Sequence, residues 1–155
     1  MPGIPLKILL PKVRLVLLDS VAKKTAFLKY LVNCLELNHV EVLTGRAEDI
    51  AHQGNYRERF DLVVSRAVSK LSTMAELTLP FCREGRLFIA QKKGQIEEEL
   101  SQAIGAINIL GGKLKEIKKV DLPQLEPRFL VIVEKVSPTP QRYPRRAGMP
   151  EKRPL

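Results

Sequence analysis

Cysteine and histidine occur only twice each, which leaves little material for a metal or redox centre. Cys34 and Cys82 sit in the apolar strings Leu31-Val32-Asn33-Cys34-Leu35 and Leu79-Pro80-Phe81-Cys82. Neither has a partner at metal-ligand spacing, so both are expected to be buried, reduced thiols. His39 and His52 are equally isolated, which suits loop or surface roles better than catalysis. Long apolar runs are missing too: Lys7, Pro11, Lys12 and Arg14 break the most hydrophobic region. No stretch approaches the roughly 18 apolar residues of a membrane-spanning helix. The N-terminus lacks the tripartite pattern of a secretory signal, and a cytoplasmic protein is expected. A dinucleotide fingerprint loop is also absent, and no residue stands out as the proton donor of a hydride site. Both absences exclude a nicotinamide-dependent oxidoreductase.

What is present describes a folded, basic domain. Hydrophobic residues make up 45% and charged residues 28% of 155 residues, ordinary values for a globular chain. A chain of this length buries roughly two thirds of its unfolded surface. The formal net charge is +9, which favours a polyanionic partner because each phosphate neutralised by Lys or Arg releases a counterion. Nucleic acid leads, with an anionic membrane second.

Apolar runs alternate with helical spacing. A strand over Arg14–Leu18 ends at Asp19-Ser20, and a helix follows with Phe27, Leu28, Leu31, Val32 and Leu35 on one side. A strand over Val40–Thr44, a helical turn from Ala47, a strand over Phe60–Ser65 and a helix from Leu71 to Pro80 come next. They are followed by a strand over Arg86–Gln91 and a helix from Ile96 to Leu110. This alternation predicts a doubly wound α/β sheet with parallel strands and right-handed crossovers. The last two strands, Lys113–Val120 and Phe129–Lys135, are joined by a link too short for a helical crossover. They are expected to pair antiparallel or to lie apart, and a terminal antiparallel hairpin would resemble Rossmann-like methyltransferases at the level of the fold alone. After Ser137 the composition changes: five prolines interleave with Arg142, Arg145, Arg146, Lys152 and Arg153. Residues 1–137 therefore read as a core, and 138–155 as an extended Pro/Arg-rich basic arm.

Four positions at carboxyl ends of strands are chemical candidates, since ligands of doubly wound sheets bind there. Asp19 can accept both hydroxyl hydrogens of a ribose, or act as an ordinary helix cap. In Thr44-Gly45-Arg46-Ala47-Glu48-Asp49, Gly45 lets the backbone turn close to a flat ligand, and the helical turn after it offers free N–H groups to an adenine edge. A plain turn before an acidic helix start is the alternative. Arg66, in Ser65-Arg66-Ala67-Val68, suits an RNA phosphate or the guanine carbonyl, or is a surface cation. Lys92-Lys93-Gly94 extends the same rim, or is solvated.

Five strings in order resemble the RsmG (GidB) family over essentially the whole chain. They are Pro2-Gly3-Ile4-Pro5-Leu6, Leu18-Asp19-Ser20, Gly45-Arg46-Ala47-Glu48-Asp49, Ser65-Arg66-Ala67-Val68 and the closing Tyr143-Pro144-Arg145-Arg146-Ala147-Gly148-Met149-Pro150-Glu151-Lys152-Arg153-Pro154-Leu155. The resemblance implies a Rossmann-like class I methyltransferase that moves a methyl group from S-adenosylmethionine to N7 of a guanine in 16S ribosomal RNA. It implies that Asp19 binds ribose, that the backbone at Ala47 and Glu48 holds adenine, and that Gly3 and Leu6 bind the cofactor, Gly3 as what remains of the glycine-rich loop. It further implies that Arg66 stands at the catalytic cleft beside the cofactor and that Arg128 faces RNA as a second catalytic arginine. Lys92, Arg142, Arg145, Arg146, Lys152 and Arg153 are then RNA-binding candidates, and neither metal nor membrane takes part.

The family carries a helical region, a first strand and a glycine-rich loop before the Pro-Gly-Ile-Pro-Leu string, which here begins at residue 2. A sheet without its first, central strand is therefore expected, with a gap between the strands ending at Asp19 and Ser65, in a chain read from a longer protein. A non-catalytic, basic RNA-binding fragment is the alternative function.

Overall fold

The computed structural model describes residues 2–66, 69–121 and 126–155. Ala67 and Val68 of the third-strand string, and residues 122–125 of the link between the last two strands, lie outside the described residues.

The chain opens with a helix that periodicity did not suggest, α1 (Gly3–Leu9). Pro5 is tolerated because the first turn of a helix has no intrahelical use for its N–H. Lys7 on this helix is buried and donates to the carbonyls of Pro11 and Val13 at 2.7 and 2.6 Å. Strand β1 (Leu15–Asp19) follows, then α2 (Ala22–Cys34), β2 (Val40–Thr44) and the short α3 (Ala47–Ile50). β1 and β2 pair in parallel from Leu15 opposite Val40 to Asp19 opposite Thr44. The inner stripe of α2 is Thr25, Leu28 and Val32, packed with Ile4 and Leu17. Phe27 and Leu35, expected on that stripe, are 60% and 43% exposed. Phe27 points roughly 130° away from the Thr25–Leu28–Val32 line, and Leu35 lies past the last helical residue, Cys34, at the helix C-cap.

The second half comprises β3 (Phe60–Arg66), α4 (Leu71–Thr78), a 3-10 turn (Leu79–Phe81), β4 (Cys82–Lys93), α5 (Glu97–Ile109), β5 (Gly112–Val120) and β6 (Arg128–Lys135). Its sheet runs in the order β3-β4-β6-β5. β3 and β4 are parallel, while β6 lies antiparallel between β4 and β5. The main core lies on this sheet under α4 and α5, around Leu71, Met74, Leu79, Phe88, Ile107, Leu110, Val131 and Val133.

β1-β2 and β3-β4-β6-β5 are separate hydrogen-bonded sheets. β1 and β3 each keep one edge without a strand partner among the described residues, and the expected gap in the sheet lies between them. Edges left this way present unpaired N–H and C=O groups.

The closing segment is not an extended arm. It folds back onto the body, with Thr139, Tyr143 and Pro144 buried, and ends in α6 (Met149–Lys152). Arg57 secures its first part by donating to the carbonyls of Thr139 at 2.8 Å and Tyr143 at 2.9 Å. Prolines here stiffen a docked strap, where composition suggested a solvated tail.

Candidate active site

A cleft of about 540 Å³ lies between β1 and β3, large enough for a nucleoside-sized ligand. One end is organised by the carboxyl termini of β1 and β2. The N–H of Gly45 donates to the carbonyl of Asp19 at 3.1 Å, bringing both strand ends side by side. A Cβ at position 45 would lie 3.2 Å from Ile50, tighter than most real contacts, so the turn accommodates glycine best.

The Asp19 carboxylate lines this cleft. One oxygen accepts the N–H of Val21 at 2.9 Å and the other lies 3.8 Å from Lys24. Val21 is the residue preceding α2, and it makes no side-chain cap. Asp19 therefore shapes the turn before the helix and retains acceptor capacity toward the cleft. Across from it, the N–H groups of Asp49 and Ile50 bond the carbonyl of Arg46. Those of Ala47 and Glu48 have no backbone acceptor among the described residues, as expected in a first helical turn. A carboxylate and two adjacent free amides on one cleft form a donor and acceptor set that fits a ribose and an adenine edge. Ser20, Ser65, Ser69 and Thr73 add hydroxyls to the wall. No group of three or more His, Cys, Asp or Glu suited to hold a metal ion occurs among the described residues.

A second concentration of candidates lies at the carboxyl ends of β3 and β4. Register places Arg66 opposite Gln91, Lys92 opposite Phe129 and Lys93 opposite Arg128. Because β6 is antiparallel to β4, its first residue lands beside the last residue of β4, which puts Arg66, Lys93 and Arg128 at one end of the sheet.

A family model described as rRNA small subunit methyltransferase G (GidB) matches residues 1–126. The chain belongs to the GidB family. The ribosomal RNA small subunit methyltransferase G of Dehalococcoides mccartyi (strain CBDB1) is 51% identical over 155 residues, 99% of this chain and 66% of that protein. The Oenococcus oeni protein of the same name is 46% identical over 154 residues, 99% of this chain and 64% of its own length. The chain thus spans slightly less than two thirds of the curated relatives it matches. Among solved structures, an rRNA methylase from Streptococcus thermophilus superposes with a TM-score of 0.57 at 14% identity, over 79% of this chain and 73% of the other. M. jannaschii TYW2, solved in complex with AdoMet, gives 0.60 at 15% identity, over 81% and 60%. Both share the Rossmann-like α/β fold.

In this GidB-family chain the residues selected by sequence fall in different places. Gly3, Asp19, Ala47 and Glu48 line one cleft. Gly3 begins α1, where a Cβ would lie 2.7 Å from Leu17. Arg66 and Arg128 lie at the sheet end, and Leu6 and Arg66 are not among the cleft-lining residues. Lys92 and Arg145 are engaged internally. The Lys92 ammonium donates to Glu99 at 2.7 Å and to the Ser69 carbonyl at 3.0 Å, and its side chain is 9% exposed. The Arg145 guanidinium is locked to Glu76. Neither is a free RNA-facing cation, whereas Arg142, Arg146, Lys152 and Arg153 are exposed. The thiol expectation holds for Cys82, which is buried and pushed up to about 11 by desolvation; Cys34, near the end of α2, is exposed.

Sequence reasoning missed the residues that seat the closing strap. Arg57, Thr73 and Glu76 look like ordinary surface or helix residues until the strap is placed against them, and no local spacing signals a partner 69 positions away.

Proposed function

We propose that the complete protein represented by this chain transfers a methyl group from S-adenosylmethionine to N7 of a guanine in 16S ribosomal RNA, in the cytoplasm. The observation that carries the reading is the shared cleft of Asp19 and the free amides of Ala47 and Glu48, in a chain whose relatives bear the name of that enzyme. Asp19 accepts from the ribose hydroxyls, and the two amides donate to the adenine edge. S-adenosylmethionine, held by Asp19 and the amides of Ala47 and Glu48, would supply an electrophilic methyl group to the N7 lone pair, with the C–S electron pair leaving on sulfur as the C–N bond forms. No proton has to move, so the cleft needs no general base. Holding the two reactants in line supplies most of the rate, a contribution that reaches roughly 7 to 11 kcal/mol in well-oriented systems. Arg66 and Arg128, with Lys93 beside them, are placed to hold the RNA.

Calorimetric titration with S-adenosylmethionine, followed by methyl transfer to 16S RNA from cells lacking the modification, tests this reading. Saturable cofactor binding and a methyl group at N7 are expected. Absence of transfer by the full-length parent would overturn the assignment.

A second reading rests on the unpaired edges of β1 and β3, which leave the cleft open along its length. On that reading these 155 residues bind RNA without catalysis. RNA binding that is sensitive to salt and indifferent to S-adenosylmethionine distinguishes it.

A further inference from the structure

The strap over residues 139–153 bridges the two sheets. On the side of β1-β2, the His52 ring meets the Pro144 carbonyl at 2.9 Å. The Glu48 carboxylate accepts the N–H of Gly148, also at 2.9 Å. On the other side, Glu76 of α4 is 0% exposed and receives the backbone N–H, Nε and Nη2 of Arg145 at 2.6 to 3.2 Å. That pairing raises the guanidinium pKa further above its ordinary value. Arg145 also donates to the Arg153 carbonyl at 2.8 Å, and Thr73 donates to the Pro150 carbonyl at 2.9 Å. Pro150 and Glu151 are consequently part of the cleft wall.

We propose that Glu76 is a positioning residue for the cofactor, acting through Arg145 and the strap on the first turn of α3. The chain of contacts is continuous. Glu76 fixes Arg145, Arg145 fixes the strap, and Gly148 of the strap holds Glu48, which with Ala47 lines the cleft and carries an N–H without a backbone acceptor. Gly148 has φ of 81°, a left-handed conformation that glycine adopts without cost and that aims its N–H at Glu48. No ladder joins β1-β2 to the second sheet, so the strap sets how α3 sits against α4. Two buried, charge-assisted anchors suit that task, because each is about twice as strong as a neutral hydrogen bond.

The inference rests on the cofactor reading given above, but its test has an independent arm. Arg145→Gln and Arg145→Lys are compared with Ile107→Ala, a cavity variant on α5 that makes none of the strap's polar contacts. Hydrogen exchange at the amides of residues 49–51 and S-adenosylmethionine affinity are measured for each. Arg145→Gln is expected to accelerate exchange there about tenfold and to weaken cofactor binding about tenfold, the effect of losing one charge-assisted contact. Arg145→Lys, which keeps the charge but not the fork, is expected to recover part of both. Ile107→Ala is expected to lower the unfolding midpoint while changing neither readout at native temperature. Unchanged exchange at 49–51 in Arg145→Gln overturns the proposal whether or not the chain binds cofactor. Equal losses in Ile107→Ala reduce it to general destabilisation and overturn it too. Failure of the unaltered chain to bind S-adenosylmethionine counts against the cofactor reading, and the exchange result then decides this one.

Discussion

Lys135, like Glu76, is a fully enclosed charged residue. Its ammonium is 0% exposed and donates to Glu58 at 2.7 Å, Thr139 Oγ1 at 2.8 Å and the carbonyls of Leu79 and Cys82 at 3.1 and 3.4 Å. Burial pushes the Lys135 pKa down, opposed by the neighbouring carboxylate. Burial pushes Glu58 up, but the Lys135 ammonium and the Thr139 N–H more than reverse this and hold its carboxyl below the ordinary glutamate value. A depressed carboxylate stabilises the fold above its unfolded pKa, and that contribution is lost as pH falls through the folded value. Glu58→Gln is therefore expected to flatten the acid limb of a stability-versus-pH curve below the ordinary glutamate range. At neutral pH it should cost about 2 kcal/mol in urea unfolding, toward the low side for a broken buried pair because Glu58 remains partly exposed. A different residue carries the cofactor test. Asp19→Asn keeps an oxygen for the Val21 N–H but removes the charge, and should weaken S-adenosylmethionine binding about 10- to 100-fold without a comparable loss of stability. An affinity within twofold of the original would exclude Asp19 as the ribose ligand.

At the scale of elements, the turn from α5 into β5 admits no side chain at Gly111. Gly111 has φ of 82°, and a Cβ there would lie 2.1 Å from the Ser137 carbonyl oxygen. Its own carbonyl accepts the N–H groups of Val136 and Ser137 at 2.8 and 3.1 Å, so the start of the strap is built on this glycine. Gly111→Ala should cost at least about 3 kcal/mol, combining left-handed strain with a backbone collision, measured as a fall in the urea midpoint. The same contrast explains what the sequence reveals. β1 to β4 and β6 are legible within a few residues because each contains an apolar run, β5 is legible despite its four lysines, and a link too short for a helix limits the last two strands to antiparallel pairing or separation. α1 is illegible because its two prolines and one glycine in the first five residues mimic a loop. The strap is illegible for another reason: proline and arginine content predicts solvation, and only the buried Glu76 and the Arg57 fork, distant in sequence, supply the partners that dock it.

For the whole molecule, the positive charge serves two purposes, and they call for different experiments. Arg57, Lys92, Lys135 and Arg145 bind carbonyls and carboxylates of the chain itself. Deleting residues 138–155 would remove the buried Thr139 and Tyr143 and the Arg145–Glu76 pair, so loss of RNA binding in such a deletion would report unfolding as readily as lost contacts. Arg142, Arg146, Lys152 and Arg153 are exposed, and their side-chain charges can be removed while leaving the strap's anchors in place. For single-stranded RNA each phosphate neutralised contributes about 0.7 to the slope of log affinity against log salt. Replacing all four by Gln should reduce that slope by up to about 3, with the unfolding midpoint and hydrogen exchange at residues 49–51 preserved. A slope unchanged by the quadruple replacement would move the RNA-facing surface to the sheet end, where Arg66, Lys93 and Arg128 stand together. A parallel replacement there should then lower the slope in proportion to the phosphates those three residues hold.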